Sequence, residues 1–451
     1  MIPPETLAAL RFGTGLPLPD GAAADAAGMA AALSGPDAAA ALYPAPGVAE
    51  VWPLQAAAVE ATRMSRSSGE KDAVKAARRA LAAAGDTGAK ATIARAIDAP
   101  DPFRERLVRF WADHFTVRAR RGTELALVTA FVEDAIRPHV TGRFADMLLA
   151  ATLHPAMLMS LDQVSSIGPG SRIGLRRNRG LNENLARELI ELHTLGVGAA
   201  YTQTDVRELA ELLTGLGVSG DEGFVFRPDW AEPGPETVLG RRYDGDGLVP
   251  VRALLADLAG RAETAAHLSR KLAVHFVSDT PDPALVAALN AVWVDTGGDL
   301  AAVSRALLEH PAAWDGPLHK ARQPFDFIVA ALKALGIGGG EVVATGAGQF
   351  RRRLLLPMGG MGQPFGNPRG PDGWPEEAEA WITPQGLAAR VAWALTQPEA
   401  LVRGGLPDPR ELALRALGPA ADERLLWAAA RAESRREGIG LVFAAPAFNR
   451  R

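Results

Sequence analysis

Gly180-Leu-Asn-Glu-Asn-Leu-Ala-Arg-Glu-Leu-Ile-Glu-Leu-His-Thr-Leu-Gly-Val-Gly-Ala-Ala-Tyr201 is the stretch that decides the fold class. Leu181, Leu185, Leu189, Leu192 and Leu195 recur at helical spacing, so it reads as one helix with an apolar stripe. At about 100° per residue, Glu188 falls inside that stripe, between Leu192 and Leu195, with Asn184 and Glu191 on its flank. A carboxylate out of water needs a cation, a metal or a set of hydrogen bonds. The spacing therefore predicts a core helix over 181–195 with Glu188 buried and paired. His114, Asp162 and the arginines Arg172, Arg176, Arg177 and Arg179 are the expected partners. A structural ion pair is the plain role, and a catalytic or ligand-binding carboxylate is the alternative.

The same pattern repeats elsewhere. Alanine is abundant and β-branched residues are sparse, which favours helix over strand. The 451 residues are 48% apolar, enough for a large core. The 47 glycines and 33 prolines collect between helical runs and mark long connections. We expect an all-α fold, at least two-thirds helical outside its loops, with at most a small β-hairpin. Its regions are a helical N-terminal part over 1–97, a central helical core over 98–220, a hairpin or flap over 221–248, a second helical region over 249–356, a long ordered loop over 357–381 and final helices over 382–451.

Composition also removes whole classes of chemistry. With no Cys, thiolate nucleophiles and Cys-held metals are out. The 48 basic and 52 acidic residues give a net charge of −4 without a long basic run, so no nucleic-acid partner is expected. No apolar run reaches membrane-spanning length. The N-terminus lacks the basic and apolar pattern of a leader, which on its own reads as cytoplasmic.

Several local signals place the other candidates. Asp101 and Pro102 start a helix whose apolar side carries Phe103, Leu107 and Phe110, and His114 falls on that side. His114 is therefore expected to be a buried imidazole with a partner, either a satisfied core histidine or a general base or metal ligand. The helix over 156–162 is apolar nearly all round, so Asp162 is expected to be buried as well. Thr202 and Asp205 fit a capping box. Glu263, His267, Lys271 and His275 step by four along one helix and read as a solvated or interfacial charge ladder. In 357–381, Met358, Met361, Phe365, Trp374 and Trp381 are spaced to strap the loop onto a groove. It reads either as a structural strap or as a lid over a substrate or partner.

These residues carry a family resemblance. Phe110-Trp-Ala-Asp-His-Phe115, His154-Pro-Ala-Met-Leu158, the run Leu181-Asn-Glu-Asn184 through Gly196, and Tyr201-Thr-Gln-Thr-Asp-Val206 form an ordered set. His310-Pro311, Met361-Gly-Gln-Pro364 and Gly373-Trp-Pro375 extend it. The set resembles the bacterial family known as domain of unknown function 1800. The resemblance implies a largely helical protein, export in many relatives, and a sulfatase-like protein as partner. The chain departs from the pattern where relatives carry a His-Asp pair after Phe-x-Phe-x-Pro; here Phe224-Val-Phe-Arg-Pro228 runs into Asp-Trp-Ala-Glu.

Two functions remain open. The first is a non-catalytic scaffold or binding protein, with Asn182, Asn184, Glu191, His193, Arg176 and Trp374 as candidate ligand contacts. The second is a hydrolase using Glu188, His114 and Asp162, with a divalent metal as its one conceivable cofactor. No His-Glu-x-x-His, Gly-x-Ser-x-Gly or ferritin-type Glu-x-x-His is present, which favours the first.

Overall fold

A computed structural model describes residues 2–69, 71–177, 180–220, 222–316 and 318–451. Helix starts and stops lie where local chemistry puts them. Asp101 accepts a hydrogen bond from the N–H of Arg104, and Pro102 opens the Pro102–His114 helix. Thr202 and Asp205 form the reciprocal capping box at the head of Gln203–Leu212. Helices take up 64% of the described residues.

The extended pieces at 224–226 and 237–239 do not pair with each other. β1 (Leu216–Ser219) pairs antiparallel with β2 (Gly223–Phe226), and β3 (Glu236–Val238) with β4 (Arg241–Tyr243). The first hairpin thus straddles the boundary expected at 220/221. Leu216-Gly-Val-Ser has too little alternation to announce itself as a strand.

Two apolar cores hold the helices together. The first gathers Phe12, Phe103, Trp111, Phe115, Phe144, Phe276 and Trp293. The second gathers Phe327, Met358, Trp393, Leu412, Phe443 and Phe448. The long Asp72–Asp98 helix belongs to both, with Leu81 in the first and Ala89, Ile93 and Ile97 in the second. Val128 packs against each core, so the seam between them runs past the Leu125–Phe131 helix.

The decisive stretch over 180–201 is helical through its middle but is not one α-helix. It begins at Asn184, runs as α-helix to Glu188, and widens into a π-helical segment over Leu189–Thr194. The N–H of Leu195 reaches back five residues to Ile190, and the Thr194 hydroxyl donates to the Leu189 carbonyl at 2.6 Å. Buried pairs then recur every four residues, at Leu185 and Ala186, Leu189 and Ile190, His193 and Thr194. A wheel drawn at α-helical pitch therefore assigns the wrong faces beyond Glu188. His193 turns into the core and Leu192 moves to its edge, so the stripe that had framed Glu188 is broken and Glu188 is half-buried. Gly196 and Gly198 end the segment with φ of 93° and 85°.

The loop over 357–381 is shorter than expected, because Leu356–Gly360 and Ala378–Trp381 are helical at its two ends. Met358, Met361 and Trp381 are buried and Trp374 is half-buried, its ring 6.0 Å from that of Trp381. No helix among the described residues is long and apolar enough to cross a membrane.

Candidate functional site: a histidine–lysine cluster beside an apolar groove

His114 ends its helix in the first core, packed by Trp111, Phe115 and Phe144. Its Nδ1 accepts from the Lys271 ammonium at 3.1 Å. The proton is therefore on Nε2, which donates to the His193 carbonyl at 3.1 Å. The His193 and His267 rings stand 6.0 and 6.5 Å from that of His114. His267 reaches this position because residue 196 is glycine: a Cβ there would meet His267 Nδ1 at 2.8 Å. The ladder is thus turned inward from His267 to His275, while Glu263 stays at the surface beside Arg261. Its apolar neighbours Leu268, Leu272 and Phe276 carry it into the core.

Burial, then Lys271, holds the three imidazoles neutral: His193 falls to about 3, His267 to about 4, and His114 well below its ordinary value. Lys271 is itself lowered by burial, against the pull of Asp113 and Glu376. The cation of this cluster is the protein's own ammonium. Among the described residues no three His, Asp or Glu side chains converge as metal ligands.

Neutral buried histidines bind fewer protons than they do unfolded, so they make stability rise with pH. Asp113 and Glu236 work the other way, since burial raises both carboxyls to about 7. With three histidines against two carboxyls, stability should fall by on the order of 1 kcal/mol between pH 6.5 and 5. Urea unfolding at the two pH values checks this; a flat or rising midpoint on acidification would contradict neutral imidazoles.

Asp113 joins the cluster to a groove. Its carboxylate accepts the backbone N–H of Trp374 at 3.0 Å. Gly373 allows the approach with φ of 82°, where a Cβ would stand 2.7 Å from the Asp113 carbonyl. The groove, about 160 Å³, runs along the Pro102–His114 helix past Val108, Arg109, Ala112 and Asp113 to Thr116. Val128, Phe131 and Val132 face them, and Phe325, Met358, Phe365 and Trp374 complete the enclosure. It therefore lies on the seam, taking walls from both cores.

Polar groups border it in two sets: Arg137 pairs with Glu105 at 2.7 Å beside Glu133, and a second set gathers around Arg109, Gln363 and His275. Arg109 pairs with Asp326 at 2.5 Å and lies over Phe325 at 3.8 Å. Gln363 accepts from the N–H of Phe325 and donates to Gln323, both at 2.8 Å. His275 donates to Glu376 at 2.5 Å, and Glu376 pairs with Lys320 at 2.8 Å. Burial resists ionisation of Glu376, but His275 and Lys320 prevail and bring it down to about 2. The loop is thus held down by charge as well as by its aromatic anchors.

The sequence candidates divide. His114 and His193 come together, and Trp374 meets them through Asp113. Asp162 is exposed, not buried, because the chain leaves its apolar helix at Ser160 and turns with φ of 57° at Asp162. Glu188 is half-buried, with no hydrogen bond or ion pair among the described residues, and burial, Glu191 and Asp372 raise its carboxyl. No hydrogen bond or ion pair joins any two of Glu188, His114 and Asp162. Glu191 accepts from Tyr201 at 2.5 Å and pairs with Arg187. Asn182 caps the N–H of Asn184, which is exposed. Arg176 is exposed and Arg172 pairs with Asp229. Arg179 and the Arg177 side chain lie outside the described residues. Because Glu188 faces acids, Glu188→Gln should change stability by under about 1 kcal/mol, in the stabilising direction. A loss above about 2 kcal/mol on chemical denaturation would restore a buried partner.

Sequence reasoning missed Asp113, Arg109 and Glu376. Asp113 stands beside His114 in the sequence, but much of its groove is made by residues more than two hundred positions away.

Searches of curated proteins and of solved structures found no match. The sequence pattern described as "Protein of unknown function (DUF1800)" matches residues 8–450. With nearly its whole length matched, the chain belongs to the DUF1800 family.

Proposed function

We propose that this protein is a non-catalytic binding protein whose ligand is a small, mainly apolar molecule held in the groove beside Asp113. The observation that carries the reading is the groove itself: many apolar lining residues, polar groups paired at its border, and a position between two cores, as ligand sites commonly have. Its volume is similar to that of an engineered apolar cavity of about 150 Å³ that accepts benzene. The ionisable groups around it are engaged with each other, Arg109 with Asp326 and His275 with Glu376, so they orient a ligand more readily than they attack one. No metal or cofactor enters this proposal. A sulfatase-like protein is its macromolecular partner, on family resemblance alone, and co-purification with one tests that part.

Benzyl alcohol is a suitable probe for the groove. Calorimetric titration should give saturable binding with one site per chain, lost in Ala112→Phe, which fills the groove from its own wall. Binding that is absent in the natural chain, or that survives Ala112→Phe, removes the groove as the site.

A further inference from the structure

We propose that Arg118 and Arg120 hold the anionic head of the ligand, a carboxylate or phosphate carried on an apolar body. The inference rests on the apolar groove being a ligand site and adds the ligand's charge to it. A second cavity, about 100 Å³, is lined by Arg118, Arg120, Glu124 and Ser160, over apolar residues that include Leu127 and Met159. It shares Val117 and Val128 with the groove, so the two cavities adjoin there.

Some buried guanidiniums of this protein have carboxylates, as Arg137 has Glu105 and Arg95 has Glu133, and others, such as Arg11 and Arg390, are met by carbonyl or amide oxygens. Arg118 is half-buried and Arg120 exposed; neither has an ion pair or hydrogen bond among the described residues, and the buried Nε of Arg118 is without any partner. An unmet charged donor is costly, and a planar carboxylate or phosphate is the group that matches a guanidinium fork. The nearby acid is committed elsewhere: Glu124 accepts the backbone N–H of Arg121 at 3.0 Å. The Ser160 hydroxyl adds a neutral donor to the lining. The apolar residues beneath suit a ligand whose charge sits on a hydrocarbon body better than a free ion.

Calorimetry with 4-phenylbutyrate, its neutral counterpart 4-phenylbutan-1-ol and inorganic phosphate tests this. In the natural chain the carboxylate should bind at least about tenfold tighter than the alcohol, an advantage that shrinks as salt is added. In Arg118→Gln/Arg120→Gln the advantage should vanish while the alcohol binds as before. These arginines hold no structural partner, so the double variant should fold. Glu124→Gln should tighten the carboxylate. A carboxylate that binds no better than the alcohol, or keeps its advantage in the double variant, overturns the anion site and leaves the groove reading standing. Failure of both phenyl compounds overturns the groove and, with it, the amphipathic ligand. Arginine-dependent binding of phosphate alone would then retain the anion site and identify phosphate as its source of charge.

Discussion

Asp326→Asn is expected to destabilise the protein by about 3–5 kcal/mol, the scale for breaking a buried ion pair. Asp326 is 1% exposed and faces three guanidiniums: Arg109 at 2.5 Å, Arg106 at 3.3 Å and Arg451 at 3.8 Å. Burial opposes its ionisation, yet Arg109 and Arg106 overcome that and hold the carboxyl far below the usual range. Asparagine keeps the size and one acceptor but removes the charge, which leaves buried cations facing one another. Arg322 stands near them, lowered to about 10 by burial and by Arg390 and Arg106. The sign with pH comes from a depressed carboxyl. Its contribution is present above the ordinary value of 3.8 and fades as pH falls below it. Urea unfolding should therefore separate the two proteins widely at pH 7 and bring them together towards pH 2. A loss under about 1 kcal/mol at pH 7 would mean that the arginines find other partners.

The second large effect is expected from Glu376→Ala. It strips Lys320, which is 1% exposed, of one of its two carboxylates, and leaves His275 without its acceptor. The cost should again approach about 3–5 kcal/mol, but with a local signature. Glu376 sits two residues after Trp374, so its removal frees the end of the loop that roofs the groove. Tryptophan emission should shift to longer wavelength, and proteolysis should begin between 366 and 376 before the body is cut. Glu376→Gln keeps a hydrogen-bond acceptor and should show a smaller form of each change. Because Glu376 lies near 2 against an ordinary 4.5, the natural protein should lose this contribution as pH falls from 4.5 to 2. An alanine variant with an intact loop and natural stability would show that the aromatic anchors suffice.

What could be read from the sequence was chemistry confined to one turn of chain. Asp101 with Pro102, and Thr202 with Asp205, cap their helices because both partners lie within four residues. The helical class came from periodicity summed over many segments. The π-helical segment could not be read, since its widened turn shifts the phase only from Leu189 onward and nothing in Leu-Ile-Glu-Leu-His-Thr announces it. That single event turned His193 into the core and carried Leu192, which had framed Glu188, to its edge. The groove was illegible for another reason. Asp113 and Trp374 are 261 residues apart, and Glu376 and His275 are 101 apart. Each looks ordinary until the fold brings its partner.

The seam has a consequence for how occupancy would be felt. A molecule in the groove presses on Val108 and Phe131 from one core and on Phe325 and Met358 from the other. It acts as a brace placed in series with both. Any opening that parts the cores must first expel it, so its binding energy adds to the work of separating them. Amide exchange should then slow around Phe443 and Phe448 as well as around Phe103, although the first of these regions does not line the groove.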